Sequence, residues 1–199
     1  MYSKKIITTI TVLLFVFSSA VAQDVTYTLA DVSEFKIDGD SNIRTWAGDI
    51  NEADATLVLT GVDNLTIESL TPEAFKSLHI NIAVSGIETD TDRLTTNLRN
   101  YLKKDEHPYI TFNLKEITQI EKVNGKANIT AKGTINAAGV ENIVTMNVEA
   151  SVQNDGKIRF VGTQDLLMTS FNIDPPTALF GTVRAHDEIQ IIFDVTFAR

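Results

Sequence analysis

No cysteine occurs anywhere in the chain. Disulfides, a thiolate nucleophile, cysteine-ligated metal centres and a lipid-modified cysteine are therefore all excluded. Proline is scarce, at four residues. No Pro/Gly/Ser-rich linker, low-complexity tract or solenoid-period repeat divides the chain. The HExxH, GxSxG and GxxxxGK[ST] patterns are missing, and the three histidines, His79, His107 and His186, are scattered. Positive charge is also short: 17 Lys and Arg stand against 26 Asp and Glu, a formal net charge of −9. Nucleic acid is excluded as a partner, because it requires clustered basic side chains to displace counterions. Electrostatic docking on anionic headgroups is disfavoured for the same reason. The apolar run Ile6 to Phe17 falls short of the roughly 20 residues a spanning helix needs, so no stable membrane insertion is expected.

That apolar run instead has the layout of an export signal. Lys4 and Lys5 precede it, and Ala20, Val21 and Ala22 follow as a small-x-small cleavage pattern. Residues 1–22 are expected to be a signal peptide cleaved near Ala22, leaving a periplasmic or secreted protein. Cleavage removes two basic residues and no acid, from 17 to 15 against 26, and takes the charge to −11. Residues 23–199 have the length of one domain.

The remaining chain alternates. Ile189, Ile191, Phe193, Val195 and Phe197 fall on odd positions with Glu188, Gln190, Asp194 and Thr196 between them. Successive strand side chains point to opposite faces, so this spacing buries one face and wets the other. Similar patterns predict a bent strand over 25–37, a long strand over 43–60 with a parity switch near Gly48, and a strand from Leu78 to Val84. Further strands are expected after Pro108 and over 126–136, 142–153, 157–165 and 187–198. Asn124-Gly125 and Asn154-Asp155-Gly156 supply hairpin turns. Only 90–104 departs from the pattern: Leu94, Leu98 and Tyr101-Leu102 recur at helical spacing behind the capping residues Asp90 and Thr91. The reading is all-β: a sandwich or, because long strands leave costly edges unless closed, an antiparallel eight-stranded barrel with one short helix over an end.

Several segments resemble the YceI-like family, in order along the chain. Leu94–Lys103 followed by His107–Phe112 resembles its leucine-rich helix and Pro-x-Ile-x-Phe strand. Gly133–Val140 resembles a G-x-L-x-x-x-G hairpin. Met168–Pro176 is similar to a Met-x-x-Phe-x-Ile-x-Pro-Pro loop, and Gly39–Trp46 to a G-x-S-x-x-x-x-W segment. The resemblance implies a lipocalin-like barrel, a periplasmic or secreted location, an interior that binds a polyisoprenoid or similar amphiphile, and room for a homodimer.

The partner expected is thus a small apolar or amphiphilic ligand, with no cofactor unless a bound isoprenoid lipid or quinone is counted as one. The inward-facing candidates for its site are Phe35, Ile37, Trp46, Leu57, Ile82, Phe112, Leu114, Met146, Phe160, Ile191 and Phe193. Any of them also has the ordinary alternative of filling the barrel. Met146 and Met168 offer adaptable apolar surface. Arg44 and Arg99 are candidates for an anionic head group, against simple surface ion pairing. His186-Asp187-Glu188 is a weak metal pattern, since alternation leaves only His186 and Glu188 on one face. No catalytic or metal site is assigned. The alternative to a carrier is a ligand-free structural or stress-related envelope module with a packed barrel. A lipid-modifying enzyme would need a nucleophile and base that the sequence does not supply.

Overall fold

The computed structural model describes residues 23–62 and 64–199, so the expected signal peptide lies outside the described residues. Eleven strands and one α-helix follow in chain order: β1 Asp24–Ser41, β2 Trp46–Ile50, β3 Ala53–Thr60, β4 Phe75–Ala83, β5 Ile87–Thr89, α1 Asp92–Tyr101, β6 Tyr109–Val123, β7 Lys126–Ala137, β8 Val140–Val152, β9 Ile158–Leu167, β10 Thr177–Ala178 and β11 Val183–Ala198. Eight of them form the ring β1-β3-β4-β6-β7-β8-β9-β11, and antiparallel pairing of β11 with β1 closes it. The all-β, eight-stranded, lipocalin-like barrel expected from the sequence is the architecture found.

The long strand β1 shows how the parity survives a bend. Against β11 it leaves Ala30 and Ser33 out of register, giving two one-residue irregularities. Each extra residue flips the side-chain face, so two restore it. Tyr27 and Leu29 before the bend and Phe35 and Ile37 after it therefore all point inward. The lower half of β1 pairs with β3 and its upper half with β2.

Three local expectations change. The single strand over 43–60 is two strands separated by Asn51-Glu52, where the chain moves from one half of β1 to the other. That corner, rather than a bulge at Gly48, causes the parity switch. Gly48 pairs regularly with Ile37 and Thr89, and a Cβ there would lie 3.0 Å from Leu98 Cδ2 on α1. The strand expected to reach Val84 ends at Ala83 in a 3-10 turn. The last strand begins four residues earlier than expected, at Val183.

Both ends of the barrel are covered. At the lower end, where Asp24, Val123, Val152 and Ala198 meet, the stretch between β3 and β4 buries Val62, Ile67, Leu70 and Ala74 beneath Leu57, Leu59 and Tyr27. At the upper end α1 lies across the opening. Its cap is Thr91, whose hydroxyl accepts from Leu94 N at 3.3 Å, and Asp92 sits favourably in the first turn. The helix turns Leu98, Tyr101 and Leu102 toward the interior. In the β6–β7 hairpin, Asn124 (φ 52°) and Gly125 (φ 75°) are both left-handed, as a two-residue turn matching strand twist requires.

Between β9 and β11, Arg159 grips Asp194 with both guanidinium arms, Nε donating to Oδ1 at 2.6 Å and Nη2 to Oδ2. These bonds hold the Asp194 carboxyl below the usual carboxylate range, although partial desolvation opposes them. A depressed folded-state pKa gives stability that is fully present above the unfolded value, about 3.9, and that is lost as pH falls through the lower folded value. Asp194→Asn is expected to remove this part of the acid dependence. Denaturant midpoints of the two proteins should therefore converge on acidification below pH 4. A gap independent of pH would contradict the assignment.

Candidate functional site

The barrel encloses a cavity of about 200 Å³. Its wall is aliphatic and aromatic from the strands, the helix and the loop before β10. Among its side chains only Thr111, Gln164, the Tyr101 phenol and the Trp46 indole N–H are polar, and the indole donates to Asp40 O at 3.4 Å. Thr111 lies at the outward parity of β6, between the inward Ile110 and Phe112. Gln164 lies at the inward parity of β9, opposite Ile191. Inward residues such as Met146, Ile191 and Phe193 are only half-buried although they point at the barrel axis. They pack against the core clusters on one side and border the cavity on the other.

Ten of the eleven candidate residues sit on this wall: Phe35, Ile37, Trp46, Ile82, Phe112, Leu114, Met146, Phe160, Ile191 and Phe193. Leu57 does not. It is fully buried (0% exposed) in the lower cluster, against the residues that plug that end. Met168 also reaches the wall, with Phe171, Ile173 and Pro176 from the same loop, and so do Leu98, Tyr101 and Leu102 of α1. The sequence reading missed most of these. Helix and loop residues carry no strand parity, and only the position of α1 over the opening shows which of its faces looks inward.

Three of the aromatic wall residues lie across a glycine of the neighbouring strand. A Cβ on Gly39 would fall 2.2 Å from Trp46 Cζ2, one on Gly133 2.3 Å from the Phe112 ring, and one on Gly162 2.6 Å from Phe193 Cζ. Gly39 pairs with Trp46 and Gly162 with Phe193, while Gly133 sits diagonally from Phe112. Without a side chain opposite, each ring lies flat along the wall. The lumen therefore stays open despite its large residues.

The charged candidates are engaged elsewhere. Arg44 Nη1 pairs with Asp90 at 2.9 Å, and Arg99 Nε donates to Ile87 O at 3.0 Å. His186 faces Asp40 at 3.7 Å, while the Asp187 carboxylate accepts from Thr169 N at 2.8 Å and from its hydroxyl at 2.6 Å. Among the described residues no group of three or more His, Cys, Asp and Glu side chains converges to hold a metal ion. No described helix is long and apolar enough to cross a membrane.

The barrel wall is not continuous. Strands β8 and β9 pair only from Val148 opposite Gly162 to Val152 opposite Ile158, at the lower end. Above Val148, β8 keeps only its β7 partner, and β9 above Gly162 keeps only β11. Higher up, Asn142 Nδ2 donates to Ser170 O at 2.5 Å and ties β8 to the 3-10 turn Met168–Phe171. A window is left between these two ties. It opens on an outer groove of about 1230 Å³, lined on one side by Asn142–Thr145 and on the other by Gln164–Leu167.

The profile of the YceI-like domain matches residues 19–197. The chain belongs to the YceI-like family. Solved structures with the same fold include BcnA of Burkholderia cenocepacia (TM-score 0.57, 21% identity, covering 83% of this chain and 99% of that one). A polyisoprenoid binding domain from Saccharophagus degradans, implicated in plant cell wall breakdown, superposes with TM-score 0.63 at 9% identity, over 86% of this chain and 97% of the other. The YCEI protein of Campylobacter jejuni gives 0.56 at 19%, over 76% and 84%. A comparison with curated proteins finds no match. At these identities the YceI-like neighbours establish the barrel and nothing finer.

Proposed function

We propose that this protein is an exported, non-enzymatic carrier whose barrel lumen holds the tail of an isoprenoid or another long apolar amphiphile. The observation that carries the reading is the lumen itself: an open, almost wholly apolar space kept clear by rings laid over glycines. Each methylene buried there contributes about 0.8 kcal/mol, so a few isoprene units supply micromolar affinity without any polar contact. The polyisoprenoid-binding neighbour supports the same class of ligand. The signal-like residues 1–22 support a periplasmic or secreted location. A packed, ligand-free module is less favoured, because a packed interior would bury Met146, Ile191 and Phe193 fully.

Native mass spectrometry of protein purified from its own envelope tests the proposal. Co-purifying lipid, or one-to-one uptake of an added polyprenol or polyprenyl quinone, is the expected result. A clean apo mass that added chains leave unchanged would contradict it.

A further inference from the structure

The window between β8 and β9 has a second property. Five side chains, Trp46, Gln164, Leu166, Phe171 and Ile189, line both the inner cavity and the outer groove. The two spaces therefore adjoin at the upper half of β9. There Gln164 is the polar side chain at an inward parity position, and it is half-buried. Its Nε2 donates to Asp165 O at 2.9 Å, which holds the amide at the free edge of β9 with Oε1 available as an acceptor. Unpaired strand edges also leave alternate backbone N–H and C=O groups of β8 and β9 without a ladder partner on that side. The apolar space thus meets hydrogen-bonding groups at the side of the barrel, because α1 and the lower plug cover the two ends.

The groove outside is strongly acidic. Asp38, Asp40, Asp49, Asp90, Asp165 and Glu188 line it, with Lys36 as the one basic side chain. Lys36 is already committed to Glu34 at 3.0 Å and Asp38 at 3.4 Å. A phosphate or diphosphate placed here meets like charge with no uncommitted lining cation, which opposes binding. A neutral hydroxyl or carbonyl meets the Gln164 amide and the open strand edges.

Resting on the carrier reading, we propose that the β8–β9 window is the head-group site of the ligand. The tail occupies the lumen, the head emerges laterally beside Gln164, and the acidic groove selects a neutral hydrogen-bonding head over a phosphorylated one. Leu167 (43% exposed) and Ile143 (68% exposed) flank the opening as its apolar rim.

Competition against a bound fluorescent apolar probe, with three C20 ligands on the delipidated protein, tests this. Geranylgeraniol is expected to bind at least about tenfold more tightly than geranylgeranyl diphosphate. Gln164→Leu should weaken geranylgeraniol roughly fivefold relative to a headless C20 hydrocarbon, the worth of one neutral hydrogen bond. Asp165→Lys with Glu188→Lys should narrow the gap between alcohol and diphosphate. Equal or tighter diphosphate binding by the native protein overturns the head-group site while the carrier reading stands. Equal weakening of alcohol and hydrocarbon by Gln164→Leu does the same. If none of the three ligands competes, the carrier reading fails and takes this proposal with it. The wild-type ligand series decides the matter even if a variant does not fold.

Discussion

Alanine at Gly133 and Gly162 together is expected to lower the affinity for a polyprenyl chain by more than about tenfold in a protein that still folds. The new Cβ at 133 would fall 2.3 Å from Phe112 Cζ and 2.9 Å from Asn113 O. At 162 it would fall 2.6 Å from Phe193 Cζ and 3.2 Å from Asn147 O. The backbone oxygens belong to paired strands and cannot retreat far. The phenyl rings can, and the direction open to them is the lumen. With only about 200 Å³ available, two displaced rings exclude several methylenes of ligand. Losing two methylene contacts already amounts to about 1.6 kcal/mol, beyond a factor of ten. The strain itself costs on the order of 1–3 kcal/mol of stability, as overpacking does. Titration of the variant with a polyprenol, alongside a thermal melt to establish folding, gives the result. A folded variant with undiminished affinity would show that the glycines do not set the bore.

Leu57→Ala is expected to do the reverse: a loss of about 2–5 kcal/mol of folding free energy with ligand affinity unchanged. Leu57 is fully buried between Tyr27 and Leu78, its partners across β1 and β4, in the cluster that seals the lower end. Removing its isobutyl group leaves a void that the plug between β3 and β4 cannot readily fill. Because the residue does not line the cavity, the ligand contacts are unaffected. Denaturant unfolding gives the first quantity, and the same polyprenol titration gives the second. A folded Leu57→Ala protein with lost affinity would extend the binding site into the lower cluster.

These two residue sets also mark where sequence was informative. Side-chain parity along β6, β8, β9 and β11 is a local property, so the inward positions of Phe112, Met146, Phe160, Ile191 and Phe193 could be read from alternation alone. Leu57 has the same parity as the wall residues. What removes it from the cavity is a nonlocal event, the folding of Val62, Ile67 and Leu70 beneath it. The helix could be placed along the chain from its spacing and cap. The contribution of Leu98, Tyr101 and Leu102 to the wall required knowing what α1 lies on.

The window is the clearest case of what alternation cannot convey. Residues 142–147 and 163–167 alternate as paired strands do, and nothing in either segment says that the two are not partners. The division of 43–60 at Asn51-Glu52 was hidden for a related reason, since the corner is defined by which half of β1 each piece joins. Gln164 carries a signal of its own in the sequence. Counting from Phe160 through Gly162 puts it on the inner face of its strand, and a polar side chain at an otherwise apolar inward position marks a site of contact or exit.

The chain contains one tryptophan, Trp46, and it lines the cavity. Its emission therefore reports on the lumen without any label. Titration with a polyprenyl quinone, whose ring quenches indole fluorescence on close approach, is the most direct test of an open binding barrel. Saturable quenching that ends at one quinone per chain, reversed by an unquenching polyprenol of equal length, is the predicted result. Quenching that only grows linearly with free quinone, with no effect of the polyprenol, would mean the lumen admits no ligand.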